Sequence, residues 1–211
     1  MKLRRARFEV LTAGLLTLLL ASGPALAHHP MGGKLPGTLA EGLLSGFGHP
    51  IIGLDHLAAV VAVGCLSALH QGGVRLILGY VVAMTFGVAL HLQGTTVPSA
   101  EALVALSVVA LGAVMVWSRP MAMAIALVLF VATGLLHGYV LGEAIIGAER
   151  TPLLAYFAGL AAVQTLIAAA ALFAVRLFAD PAVRGLAPMR LIGVGIVCVG
   201  LVALTPKLLG G

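Results

Sequence analysis

Two short segments carry most of the side chains able to do chemistry. One reads His49-Pro50-Ile51-Ile52-Gly53-Leu54-Asp55-His56, the other His137-Gly138-Tyr139-Val140-Leu141-Gly142-Glu143. Both interrupt long apolar runs, where an ionisable group is costly and marks a site or a pathway. Imidazole with carboxylate suits borderline divalent metals such as nickel, cobalt or zinc. A thiolate or Met-rich set would suit copper(I), and oxygens alone would suit magnesium or calcium. On a regular helix His49 and His56 share a face but lie roughly 10 Å apart along the axis. One ion could join both only if the backbone breaks near Pro50 and Gly53. Asp55 is placed either to ligate or to fix the tautomer of the His56 imidazole. His137 and Glu143 stand about a third of a turn out of phase. Gly138 and Gly142 would let that stretch unwind, as in the interrupted helices that line ion sites in transporters.

The remaining polar residues have plainer readings. His91 reads as a helix–helix hydrogen-bonding partner, and His70 as a solvated loop residue. Glu41 reads as a first-turn acid favoured by the helix dipole. Gln164 and Thr165 read as interhelical glue, and Gly193 and Gly195 as marks of close packing.

The elements that must position these groups follow from composition. Of 211 residues, 61% are hydrophobic and only 9% charged, against about 25% charged in a soluble domain. Nineteen charged side chains, 12 basic and 7 acidic, cannot coat a water-facing surface of this size. That excludes soluble globular, disordered and fibrous classes and leaves an all-α integral membrane protein. Lys2, Arg4, Arg5 and Arg7 concentrate the excess positive charge at the N-terminus, so the basic balance reflects targeting, with no patch for nucleic acid. Cys65 and Cys198 lie in apolar runs as buried small hydrophobes, too few for a thiolate cluster.

Residues 1–27 read as a cleavable signal peptide, with a basic start, an apolar stretch and an Ala25-Leu26-Ala27 cleavage site. An uncleaved first helix is the competing reading. After cleavage the chain would begin His28-His29-Pro30, either a loose metal-capture site or an unstructured tail. Residues 28–211 then form one domain of six transmembrane helices, near 38–69, 73–92, 97–117, 120–143, 152–179 and 187–209. Turn residues separate the six runs. The first is too long for one straight span and should be kinked or broken at Pro50. Counting Arg75, Arg119, Arg176, Arg184 and Arg190 as inner, against Lys34, Arg150 and Lys207 as outer, puts the mature N-terminus on the periplasmic side. The His-to-acid spacing is six in both segments, on the first and fourth runs. Such spacing fits an inverted three-plus-three repeat and equally fits coincidence; a structure whose halves lack a pseudo-two-fold would exclude the repeat.

The first segment resembles the HP-x-x-G-x-DH hallmark of the HupE/UreJ family of bacterial nickel and cobalt permeases, without departure. The stretches HHPMGG (28–33), AVVAVG (59–64) and HGYVLGEAIIGAE (137–149) are also similar to that family. The resemblance covers nearly the whole chain. It implies metal uptake across the inner membrane, with His49, Asp55 and His56 carried over as site residues and His137 and Glu143 by a looser match. It also implies downstream metallochaperones of hydrogenase, urease or cobalamin pathways as partners. The lipid bilayer is the partner that composition requires, and a homo-oligomer is a further expectation.

The expected function is a secondary transporter, not an enzyme, with Ni²⁺ or Co²⁺ as substrate and no permanently bound cofactor. No G-x-x-x-x-G-K-[ST] loop is present to drive transport with ATP. Ligation needs neutral imidazole and ionised carboxylate, so uptake should weaken toward the ordinary imidazole pKa of about 6.5. Two rivals share the same residues. One is a membrane-embedded zinc hydrolase; the other is a haem-carrying subunit with His56 and His137 as axial ligands.

Overall fold

The structure, a computed structural model, describes residues 34–117, 121–178 and 187–208. The expected signal peptide (1–27), His28 and His29 lie outside the described residues. Every regular element described is helical: α1 (Leu39–Ile52), α2 (Leu54–Ser67), α3 (Gly73–Leu92), α4 (Ala100–Trp117), α5 (Met123–Leu141), a 3₁₀ turn (Glu143–Ile145), α6 (Arg150–Phe178) and α7 (Ala187–Leu208). The helices α3, α4, α6 and α7, and α5 with its 3₁₀ turn, are each long and apolar enough to cross a bilayer. Helices α1 and α2 pass that test only as a pair, bent by 81° at the residue between them.

The break falls at Gly53, three residues beyond Pro50, where the sequence reading places it. Pro50 lies inside the last turn of α1, which continues to Ile52. A proline there gives up the bond its N–H would make to the carbonyl one turn back, which weakens α1 just before it ends. Gly53 is extended, with φ −77° and ψ 104°. Its N–H closes α1 on the His49 carbonyl at 3.1 Å, and its own carbonyl opens α2 by accepting from Leu57 N at 2.8 Å. At the start of α1 the Thr38 hydroxyl accepts from Glu41 N at 3.2 Å, while Glu41 returns its carboxylate to Thr38 N at 3.1 Å. That capping box gives Glu41 a structural role.

Helix α2 is the axis of the bundle, and all twelve residues from His56 to Ser67 are buried. Around it the other helices pack in pairs, brought close by glycines. Gly134 and Gly138 of α5 lie against the backbone of α3 at Tyr80 and Met84, and Gly87 of α3 lies against Leu135 and Tyr139. Rising numbers on both sides make α3 and α5 parallel. In the same way Gly42 and Gly46 of α1 meet Pro152 and Tyr156 of α6, and Gly64 of α2 meets Ala168. The α1–α2 pair therefore advances along α6 in one direction, as a broken span does and a re-entrant loop does not. The third pair, α4 with α7, is antiparallel and closes with an ion pair between Glu101 and Lys207. Six alternating crossings satisfy all three directions at once.

These pairings are the ones an inverted repeat requires. Gly46 sits on the Tyr156 carbonyl and Leu160 N; Gly134 sits on the Tyr80 carbonyl and Met84 N. Gly112 sits on the Gly193 carbonyl and Val197 N; Gly193 sits on the Gly112 carbonyl and Val116 N. Exchanging the first three crossings with the last three maps each contact onto another. Outward faces are apolar, as in the stripe Val74, Leu78, Val82 and Phe86 of α3, which suits lipid. Cys65 is buried as expected, whereas Cys198 is exposed on this outer surface.

Candidate metal centre

Two of the expected residues meet at the centre of the bundle. His56 enters from the first turn of α2 and His137 from the penultimate turn of α5, and both are buried. Their Nδ1 atoms lie 2.8 Å apart, with the rings edge to face at a centroid distance of 4.9 Å. Asp55 opens α2, where the helix dipole favours an anion, and its Oδ1 accepts from His56 N at 2.9 Å. Its carboxylate acts electrostatically on both imidazoles. Gly53 makes this possible: a Cβ there would stand 2.8 Å from His56 Cδ2 and 3.4 Å from Asp55 Oδ1.

A third helix orients the pair. Ser107 of α4 donates its hydroxyl to the Val104 carbonyl at 2.7 Å, and its oxygen lies 3.0 Å from His137 Nε2. With the Ser107 hydrogen on the Val104 carbonyl, the hydroxyl oxygen accepts from His137 Nε2. In that tautomer His137 Nδ1 is the lone pair facing His56, and His56 supplies the Nδ1–H between them. Ser107 escaped the sequence reading. Its signal was being the sole hydroxyl in the run Ala100–Trp117.

The other expected residues are placed elsewhere. His49 is buried on α1 with its ring edge-on to Tyr156, centroids 6.2 Å apart. Glu143 begins the 3₁₀ turn and is exposed, away from His137. Among the described residues no three His, Cys, Asp or Glu side chains are placed to hold one ion. His91 packs its ring on Tyr139, centroids 4.4 Å apart, rather than hydrogen bonding across helices. His70 is not a solvated loop residue: its ring nitrogens face the Leu66 and Met121 carbonyls at 3.2 and 3.0 Å. Gln164 does join helices, donating Nε2 to Met84 Sδ at 2.9 Å.

The arrangement can turn a hydrogen-bonded imidazole pair into a cation site, once the hydrogen between the two Nδ1 atoms moves to the far nitrogen of its ring and frees the second lone pair. Two nitrogens bound to one metal at about 2.1 Å lie about 3.0 Å apart at a right angle, close to the spacing present. The haem reading fails on the same distance, since rings in contact leave no room for a macrocycle between them.

A sequence profile described as HupE / UreJ protein matches residues 16–203. Protein HupE of Rhizobium leguminosarum bv. viciae is 32% identical over 128 residues, which cover 60% of this chain and 64% of that protein. The aligned part thus spans less than two thirds of the relative's length. No solved structure matches the chain.

Proposed function

We propose, from the premise that this chain belongs to the HupE/UreJ family, that it is a secondary transporter carrying Ni²⁺ or Co²⁺ across the bacterial inner membrane. The contact between the buried Nδ1 atoms of His56 and His137, at 2.8 Å inside membrane-crossing helices, carries the reading. Borderline divalent ions prefer imidazole with oxygen donors, and Asp55 supplies a neighbouring carboxylate. The N-terminal end of the described chain faces the periplasm, consistent with the distribution of arginines. His28, His29 and Glu143 gather the cation on that side, and His49 lies on the route inward. At the centre the ion loses water to His56 and His137, with the Asp55 carboxylate as a neighbouring charge, and the hydrogen on the imidazole nitrogen it takes moves to the other nitrogen of that ring. For a divalent ion, 100 mV of membrane potential contributes roughly 4.6 kcal/mol of inward pull. Metallochaperones of nickel or cobalt enzymes would receive the ion, and nothing need remain bound between cycles.

The test is time-dependent accumulation of labelled Ni²⁺ and Co²⁺ in cells expressing the full chain, beside Asp55→Asn at matched membrane levels. Saturable uptake that Asp55→Asn abolishes is the expected result, and the ratio of the two ions names the preferred substrate. No uptake of either ion by a correctly inserted wild type would overturn the reading. Stoichiometric zinc retained through purification would then favour the hydrolase.

A further inference from the structure

Two oxygens at the depth of the imidazole pair have no partner. Tyr80 on α3 and Gln164 on α6 are both 0% exposed, and neither Tyr80 Oη nor Gln164 Oε1 makes a hydrogen bond. Buried polar atoms in this condition are rare and costly unless something satisfies them. Their depth follows from packing. Tyr80 and Met84, one turn apart, lie against Gly134 and Gly138 of α5, the positions that flank His137. Gln164 reaches the same face of α3 through Met84 Sδ. The Tyr80 hydroxyl is also within electrostatic range of Asp55.

The repeat shows what Tyr80 lacks. Tyr156, its counterpart, donates its hydroxyl to the Leu141 carbonyl at 2.7 Å. Leu141 stands seven residues after Gly134, and the residue seven after Gly46 is Gly53. In that half the helix breaks, and the Gly53 carbonyl accepts from Leu57 N instead. The tyrosine that would have bonded there is left without a partner, at the level of His137 on α5 and within electrostatic range of Asp55.

We propose that Tyr80 Oη and Gln164 Oε1 are oxygen ligands of the transported cation. Together with the imidazoles of His56 and His137, and with Asp55 as the neighbouring charge, they complete a mixed nitrogen–oxygen shell. Both are neutral, so they raise the coordination number without adding charge to be neutralised in the membrane. This rests on the reading of the chain as a divalent-metal transporter. It also explains how a site short of a third imidazole or thiolate can strip water from an ion: side chains outside the usual ligand types supply the remaining positions. Such a set favours nickel or cobalt and disfavours copper(I), which seeks sulfur.

The experiment compares Tyr80→Phe, Gln164→Leu, Gln164→Glu and His137→Ala in the full chain, by Ni²⁺ and Co²⁺ uptake at matched membrane levels and by thermal unfolding of the purified proteins. Tyr80→Phe and Gln164→Leu are expected to raise the half-saturating ion concentration about tenfold or more. Tyr80→Phe should not lower the unfolding temperature, because removing an orphaned polar atom does not weaken a fold. Gln164→Leu also gives up the Nε2 bond to Met84, a loss that Gln164→Glu shares and so controls for. Gln164→Glu keeps an oxygen in place and should retain half-saturation within about threefold. Unchanged half-saturation in Tyr80→Phe and Gln164→Leu, with His137→Ala inactive, would overturn the oxygen ligands and leave the transporter reading intact. A rise in Tyr80→Phe accompanied by a fallen unfolding temperature, or an equal rise in Gln164→Leu and Gln164→Glu, would overturn them too, as a packing effect. Wild-type uptake in His137→Ala would instead sink the transporter reading itself, and the oxygen ligands with it.

Discussion

The first and fourth crossings begin alike and end differently. Each carries a glycine pressed on a tyrosine backbone, Gly46 on Tyr156 and Gly134 on Tyr80, and each has a histidine three residues later. Each then has an acid six residues beyond that histidine. In the first crossing the helix breaks at Gly53 and restarts, so Asp55 and His56 are carried to the bundle centre. In the fourth the helix runs through to Leu141, and Glu143 emerges exposed in a 3₁₀ turn. Ten residues after Gly46 stands His56; ten after Gly134 stands Ala144. The shared glycine and tyrosine positions set how the helices dock, while the unshared break decides which half brings its acid to the buried imidazoles. A scaffold with pseudo-symmetry thus holds a site without it.

The strongest way to break this comparison is to exchange the acids' importance. Asp55→Asn, His56→Ala and His137→Ala should each lower the apparent affinity for Ni²⁺ or Co²⁺ more than about 100-fold, whereas Glu143→Gln, altering only an exposed charge, should change it less than about threefold. Comparable losses at Asp55 and Glu143, measured as initial uptake rates, would make the two halves functionally equivalent. Next in size is Ser107. Ser107→Ala should cost about 10- to 100-fold in affinity by freeing the His137 tautomer, and Ser107→Thr, which keeps the hydroxyl, should restore most of it.

Acidification should act on the same pair. An imidazole that takes up a second proton has no lone pair left for the ion, so half-saturation should rise as the outer medium is acidified, by up to about tenfold per pH unit. An uptake curve flat from neutral to mildly acidic pH would show that no imidazole must lose a proton for the ion. The smallest effect should come from the symmetric counterpart of the site. Tyr156→Phe removes the bond to the Leu141 carbonyl and should destabilise the fold by about 1 kcal/mol, read by thermal unfolding, with half-saturation unchanged.

The six crossings were legible because lipid demands long apolar runs, and the turn residues between them were plain. His56 and Asp55 were legible because ionisable groups stand out against such runs. The break was displaced from Pro50 to Gly53 because proline advertises itself, whereas the crowding of Gly53 by the His56 ring exists only once the chain is folded. Glu143 was drawn to His137 by spacing alone, and its exposure at the end of α5 follows from where the helix stops. Ser107 and the unpartnered state of Tyr80 could not be seen from composition, since each acquires meaning from a residue on another helix. Gln164 was visible as a polar residue in an apolar run, but its bond to Met84 was not.

The separation of His56 from His137 by 81 residues has a consequence for biosynthesis. At about 5–20 residues per second, roughly 4 to 16 s pass between synthesis of the first imidazole and of the second. During that interval Asp55, which at a helix centre costs about 2.5–3.5 kcal/mol to insert, has no His137 to meet. The broken first crossing must therefore stay beside the insertion machinery or its water until the fourth has emerged. The central helix of the finished bundle is among the first to be made and among the last to be sealed in.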